Sequence, residues 1–146
     1  MKKYNNIPQV STKDNHGDAC EENYDFFKTG SISGKDSVAY DKGSDVEHEG
    51  VGYSIKSSHF TLASAKLIKG EDMTEKLDFY FAHVHSTVFV YITKAHDAYE
   101  MTAIEFREFL EVFGTLEKES TKNGGGYKVR CRAESKKMLQ WFEARI

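Results

Sequence analysis

The sequence predicts a single mixed domain, α/β or α+β, built on one central mixed β-sheet flanked by helices. Three observations predict it. The chain has 146 residues, enough for one core and too few for two ordinary domains. Its apolar positions switch between a helical period and a two-residue period along the chain. The run TVFVYIT at 87–93 is β-branched and aromatic throughout, the composition of a strand buried on both faces.

Residues 1–13 read as a polar lead-in to a domain over 14–146, and Pro8 is the only proline. Over 14–27, Ala19, Cys20, Tyr24 and Phe27 recur at near-helical spacing, and Lys28-Thr29-Gly30 reads as a basic last turn with a glycine stop. The stretch 29–36 is a loop. From Ser37 the period falls to two. SVAYD, DVEH and GVGYSIKSS read as three short strands, separated by the turn signals Lys42-Gly43-Ser44 and Glu49-Gly50.

A helix is expected over 71–85, with Met73, Leu77, Tyr80, Phe81 and Val84 as its apolar stripe. The strand at 87–93 follows, then an edge strand over 98–101. Thr102 and Glu105 form a capping box for a helix that carries Ile104, Phe106, Phe109, Leu110 and Phe113 and stops at Gly114. After the glycines at 124–126, YKVRCRA alternates strictly, and Ser135 caps a last helix with Met138, Leu139 and Phe142.

Composition narrows the function classes. Apolar residues make up 39% and aromatic residues 13%, which fills a core and argues against disorder. No apolar run approaches the roughly 20 residues of a membrane span, and MKKYNNIPQV lacks the apolar stretch of a signal peptide. Cys20 and Cys131 form neither a disulfide framework nor a CxxC metal motif, so the expected setting is reduced, soluble and cytoplasmic. Net charge is −3, unevenly spread: residues 1–50 carry −4, residues 51–115 carry −3 and residues 116–146 carry +4. An acidic front with a basic tail suits a metal site beside a phosphate-binding face, and equally suits ordinary surface drift.

The chemistry concentrates in GSDVEHEGVGYSIKSS, residues 43–58. If 51–57 is a strand, Ser54 and Lys56 share a face. A short hairpin returns Asp45 to the same edge. A carboxylate on one strand beside a lysine on the next is the pairing that metal-assisted phosphodiester hydrolysis uses: oxygen ligands for Mg²⁺, and an amine to orient water or meet the phosphate. Asp45 after Gly43-Ser44 is equally a turn residue. Lys56 between Tyr53 and Ile55 has no charged neighbour in SIKSS, which is odd for a solvent face.

This pattern resembles the PD-(D/E)xK nuclease superfamily, which includes type II restriction endonucleases, archaeal Holliday-junction resolvases and some toxin nucleases. The motif part spans residues 16–58, and the order of elements is similar over most of the chain. The resemblance implies a restriction endonuclease-like fold, with Asp45 as the strand acid, preceded by Ser44 where many members have proline, and Lys56 as the catalytic lysine. Gly17 and Glu21 resemble the glycine and glutamate of the family's first helix. Ser54 stands where the family usually has Asp or Glu, a variant also found among restriction enzymes and toxin nucleases, and by that analogy Glu71 or Glu21 completes the metal shell.

The resemblance further implies a Mg²⁺ (or Mn²⁺) cofactor, a nucleic-acid substrate with DNA favoured over RNA, no membrane partner, and a homodimer as in other small members. Two alternatives remain open: a toxin nuclease cutting transfer RNA, and a non-catalytic nucleic-acid-binding module on the same fold. Outside the motif, Lys128, Arg130 and Arg132 share one strand face, and Lys136 and Lys137 open the next helix, whose N-terminus favours phosphate. A charge-defended edge strand gives the same pattern. His83 and His85 read as helix-surface histidines, His16 as a lone residue within reach of a phosphate, Cys20 as core, and Trp141 as a core anchor.

Overall fold

The computed structural model describes residues 1–32, 45–62, 72–118 and 126–146. The expected strand at 37–41, the turn Lys42-Gly43-Ser44 and Glu71 lie outside the described residues. The elements run β1 (Lys2–Tyr4), α1 (His16–Thr29), β2 (Val46–His48), β3 (Val51–Ser57), β4 (Phe60–Thr61), α2 (Met73–His83), β5 (Val88–Ile92), β6 (Ala98–Thr102), α3 (Ala103–Phe113), β7 (Gly114–Lys118), β8 (Tyr127–Cys131) and α4 (Lys136–Glu143). They form one small α+β domain, which among the described residues comprises a mixed five-stranded sheet in the order β1-β6-β5-β3-β2, a three-stranded sheet in the order β4-β8-β7, and four helices. No helix among the described residues is long and apolar enough to cross a membrane.

In the larger sheet β3 and β5 pair in parallel and every other pair is antiparallel. The parallel pair requires a crossover, which passes through α2. β5 is covered on both faces, which accounts for its unbroken apolar composition. On one side Val90 and Ile92 pack with Tyr53, Ile55, Ala98 and the α1 residues Cys20 and Tyr24. On the other, Phe89 and Tyr91 pack with Tyr99, Met101 and the aromatic residues of α2, α3 and α4. Phe106 stacks on Phe89 at 4.6 Å between ring centroids, and Phe142 stacks on Tyr99 at 4.4 Å. Trp141 packs on Phe109 and Phe113, the anchoring role expected of it.

Helix ends follow local chemistry. Asn15, Asp72, Thr102 and Ser135 each accept a backbone N–H from the first turn of their helices, and Thr102 with Glu105 closes the full capping box. Gly30 ends α1 in the left-handed conformation, with its N–H donating to the Phe26 carbonyl.

Three features depart from the sequence expectation. Lys2–Tyr4 is not lead-in but a strand, β1, paired with β6, so β6 is interior to the sheet and not its edge. The described residues form two sheets instead of one, and YKVRCRA contributes β8 to the smaller. Gly114 does end α3, yet the chain enters β7 at once. A Cβ at Gly114 would lie 2.5 Å from the Leu110 carbonyl oxygen, so that sharp exit needs glycine.

Candidate active site

The site begins with a two-residue hairpin. β2 and β3 are joined by Glu49 and Gly50, whose φ values of 51° and 80° are both positive. That is the demand of a type I′ turn, and Gly50 meets it without strain. The register Val46↔Tyr53 then brings the residue before β2, Asp45, back beside the middle of β3. The Asp45 N–H donates to the Tyr53 carbonyl at 3.0 Å, and Asp45 Oδ2 accepts the Ile55 N–H at 2.7 Å. The carboxylate thereby takes over a backbone donor where the ladder ends, which fixes its position next to Ser54 and Lys56.

Helix α1 supplies the second carboxylate. It lies against β2 and β3 and buries Cys20 and Tyr24. The Tyr24 hydroxyl donates to Glu100 on β6, and Lys28 Nζ pairs with Glu100 at 3.0 Å while lying over the rings of Tyr4 and Tyr53. This buried triad fixes the helix against the sheet. Glu21 then comes close enough to Asp45 for the two carboxyls to act on each other. Burial, and next the charge of Asp45, raise the Glu21 carboxyl to about 7, with Lys56 acting in the opposite direction.

Lys56 is the cation that faces this pair. Its Nζ lies 5.7 Å from the centre of the Phe60 ring. Burial lowers its ammonium below the ordinary lysine range, and the charges of Asp45 and Glu21 oppose that shift. An acid from the hairpin, an acid from the helix and a lysine from β3 thus occupy one electrostatic unit.

Ser54 is buried, and it lies near enough to act on the phenol of Tyr80, a residue that patterning counted only as part of the apolar stripe of α2. Burial first, and then Asp45, raise the Tyr80 phenol, so it stays protonated. Cys20 Sγ lies 3.7 Å from His16 Nε2. Burial raises its thiol, so it is not activated as a nucleophile.

Among the described residues no group of three or more His, Cys, Asp and Glu side chains is placed to hold a metal ion. The donor set at the site is the oxygen pair of Glu21 and Asp45. That pair fits Mg²⁺, which binds through one or two carboxylates and retains several waters.

The predicted basic strand lies elsewhere, in the smaller sheet. Val129 and Cys131 are fully buried on one face of β8, and Lys128 and Arg130 are half-buried on the other, as the alternation requires. Their expected anion is supplied in part from within the chain. Glu117 on β7 pairs with Arg132 at 2.8 Å and with Arg130 at 3.7 Å, and stands opposite Lys128 in the register. Lys136 and Lys137 are exposed in the first turn of α4. His83 and His85 are exposed at and after the end of α2, and His83 stacks on Phe79 at 4.1 Å.

Comparison of the chain with protein-family models, with curated proteins and with solved structures found no match.

Proposed function

We propose that the protein is a metal-dependent nuclease that hydrolyses phosphodiester bonds at the Glu21–Asp45–Lys56 cluster, with DNA as the favoured substrate. The carrying observation is the convergence of Asp45, Glu21 and Lys56 from a hairpin, a helix and the neighbouring strand. Two carboxylates against one lysine leave the cluster one positive charge short of balance. A half-buried site of that kind favours a cation.

Asp45 and Glu21 would hold the dication, Mg²⁺ or Mn²⁺. When bound, such an ion acidifies a coordinated water and offsets charge developing on the phosphoryl oxygens. The remaining steps belong to the chain. The Ile55 N–H orients Asp45, and Glu21 is set by the helix. Lys56, pushed toward its neutral form by burial, exchanges a proton with the attacking water or donates to a phosphoryl oxygen. The serine at position 54 favours a second reading, a binding module that has lost catalysis, because it removes the acid that the motif usually carries.

The test is incubation of purified protein with supercoiled plasmid and with total transfer RNA, each in Mg²⁺ or EDTA, beside Lys56→Ala. The expected result is Mg²⁺-dependent cutting of plasmid that is lost in Lys56→Ala. Cutting of transfer RNA alone would move the substrate to RNA. Nucleic-acid binding with no cutting would favour the binding module, and cutting that survives Lys56→Ala would remove the site.

A further inference from the structure

Lys56 and Tyr91 stand opposite each other in the parallel register of β3 and β5, so their side chains leave the same face of the sheet. Had β3 run on, Phe60 would share that face with its Cα about 13 Å from that of Lys56. The chain turns instead. β3 ends at Ser57, and Ser58 takes a φ of 55°, in the left-handed region that residues other than glycine rarely adopt. The Tyr91 hydroxyl donates to the Ser58 carbonyl at 3.1 Å and ties this corner to the neighbouring strand. Phe60 then pairs with Cys131 of β8, in the smaller sheet. Its ring lies 6.4 Å from that of Tyr91 and stacks on Phe106 at 6.2 Å. The corner thus sets a fixed aromatic face against the lysine, with Lys56 Nζ 5.7 Å from the ring centre. Among the described residues that ammonium forms no ion pair.

We propose that Phe60 is a positioning residue for Lys56: its ring face holds the ammonium at the site and leaves the N–H donors to water or a phosphoryl oxygen. The inference rests on the nuclease reading of that cluster. The face of an aromatic ring carries partial negative charge and attracts a cation within about 6 Å of its centre. A carboxylate would attract the ammonium more strongly, yet it would occupy the donors in a charge-assisted pair. A long side chain left to solvent has to be ordered in every turnover, whereas one held by a ring is in place beforehand. The left-handed corner at Ser58 is the backbone strain that this placement requires.

The test replaces Phe60 by phenylalanines that carry one, two and three ring fluorines, and by leucine in Phe60→Leu. Fluorine draws charge from the ring face and changes the ring volume little, so the packing stays while the attraction fades. Two quantities are read: kcat and KM for plasmid cleavage in Mg²⁺, and the NMR shifts of the Lys56 side-chain protons, which a ring face moves upfield. The expected result is a stepwise fall in kcat along the fluorine series and a loss of about tenfold in Phe60→Leu, with KM little changed. The upfield shift should disappear in Phe60→Leu. A kcat that stays flat across the fluorine series would overturn the proposal, because the ring would then matter only as packing. Lys56 protons at ordinary lysine shifts in the unmutated protein would overturn it as well. Failure of the nuclease reading is separately visible: the unmutated protein would keep the upfield shift yet cut neither plasmid nor transfer RNA, and the positioning role would fall with that reading.

Discussion

Replacing Glu21 by glutamine tests the electrostatics of the cluster in the metal-free protein. Raising a carboxyl from 4.5 to about 7 corresponds to about 3 kcal/mol against its charged form, a ceiling because the group is not fully buried. The group binds its proton more tightly in the folded chain than in the unfolded one. Near pH 4.5 and below, the carboxyl is protonated in the native state and no penalty falls on folding. As pH rises from there through 7, stability declines, and above 7 the full penalty applies. Glu21→Gln removes the titration and keeps a donor toward Asp45.

In EDTA, the variant should therefore match wild type near pH 4.5 and exceed it by up to about 3 kcal/mol at pH 8. Urea unfolding at the two pH values, followed by tryptophan fluorescence from Trp141, measures the difference. The denaturant slope should be unchanged, since the fold is the same. A stability difference of the same size at both pH values would refute the argument, because it would mean that Glu21 does not carry the burden of burial and of Asp45. Adding Mg²⁺ at pH 8 should stabilise wild type more than the variant, by ligand linkage.

Glu100→Ala removes the anion shared by Tyr24 and Lys28 and leaves a half-buried cation without it; a loss of about 3 kcal/mol is expected in the same unfolding assay, and a loss below about 1 kcal/mol would show the triad to be incidental. Glu117→Gln frees Arg130 and Arg132 from their internal anion. If β8 meets the nucleic-acid backbone, duplex affinity in EDTA should rise, and the salt dependence should steepen by about 0.9 in log–log slope per added phosphate contact. An unchanged slope would take those arginines out of the interface.

Much of the hairpin and the helices was legible because the signals are local. Glu49-Gly50 announces its turn, Thr102 and Glu105 announce their capping box, and strand alternation alone places Ser54 and Lys56 on one face. The alternation of YKVRCRA likewise predicted which side chains of β8 are buried. What was missed depends on distant partners. KKY is too short and polar to read as a strand, and becomes β1 only because β6 presents a free edge to it. GTLEK carries no strong strand pattern, so β7 was invisible, and with it the pairing of Glu117 to the basic strand. Tyr80 fell into the apolar stripe because periodicity registers its ring and ignores its hydroxyl. The meeting of Glu21 with Asp45 depends on helix packing, for which spacing along the chain gave only an analogy.

The two acids of the cluster have different histories in the folding chain. Asp45 and Lys56 lie within one hairpin and its strand, so a microsecond-scale local closure is enough to bring them together. Glu21 arrives only when α1 docks, and that docking is secured by Glu100, far along the sequence on β6. Tyr24 lies three residues beyond Glu21, about 4.5 Å along the helix axis. The clasp on β6 therefore acts on the helix as a fixed pivot acts on a short lever, and slack at the pivot reaches the carboxylate almost undiminished. The second acid is in register only while the far side of the sheet is intact, so a partly folded chain holds two of the three cluster residues and lacks the third.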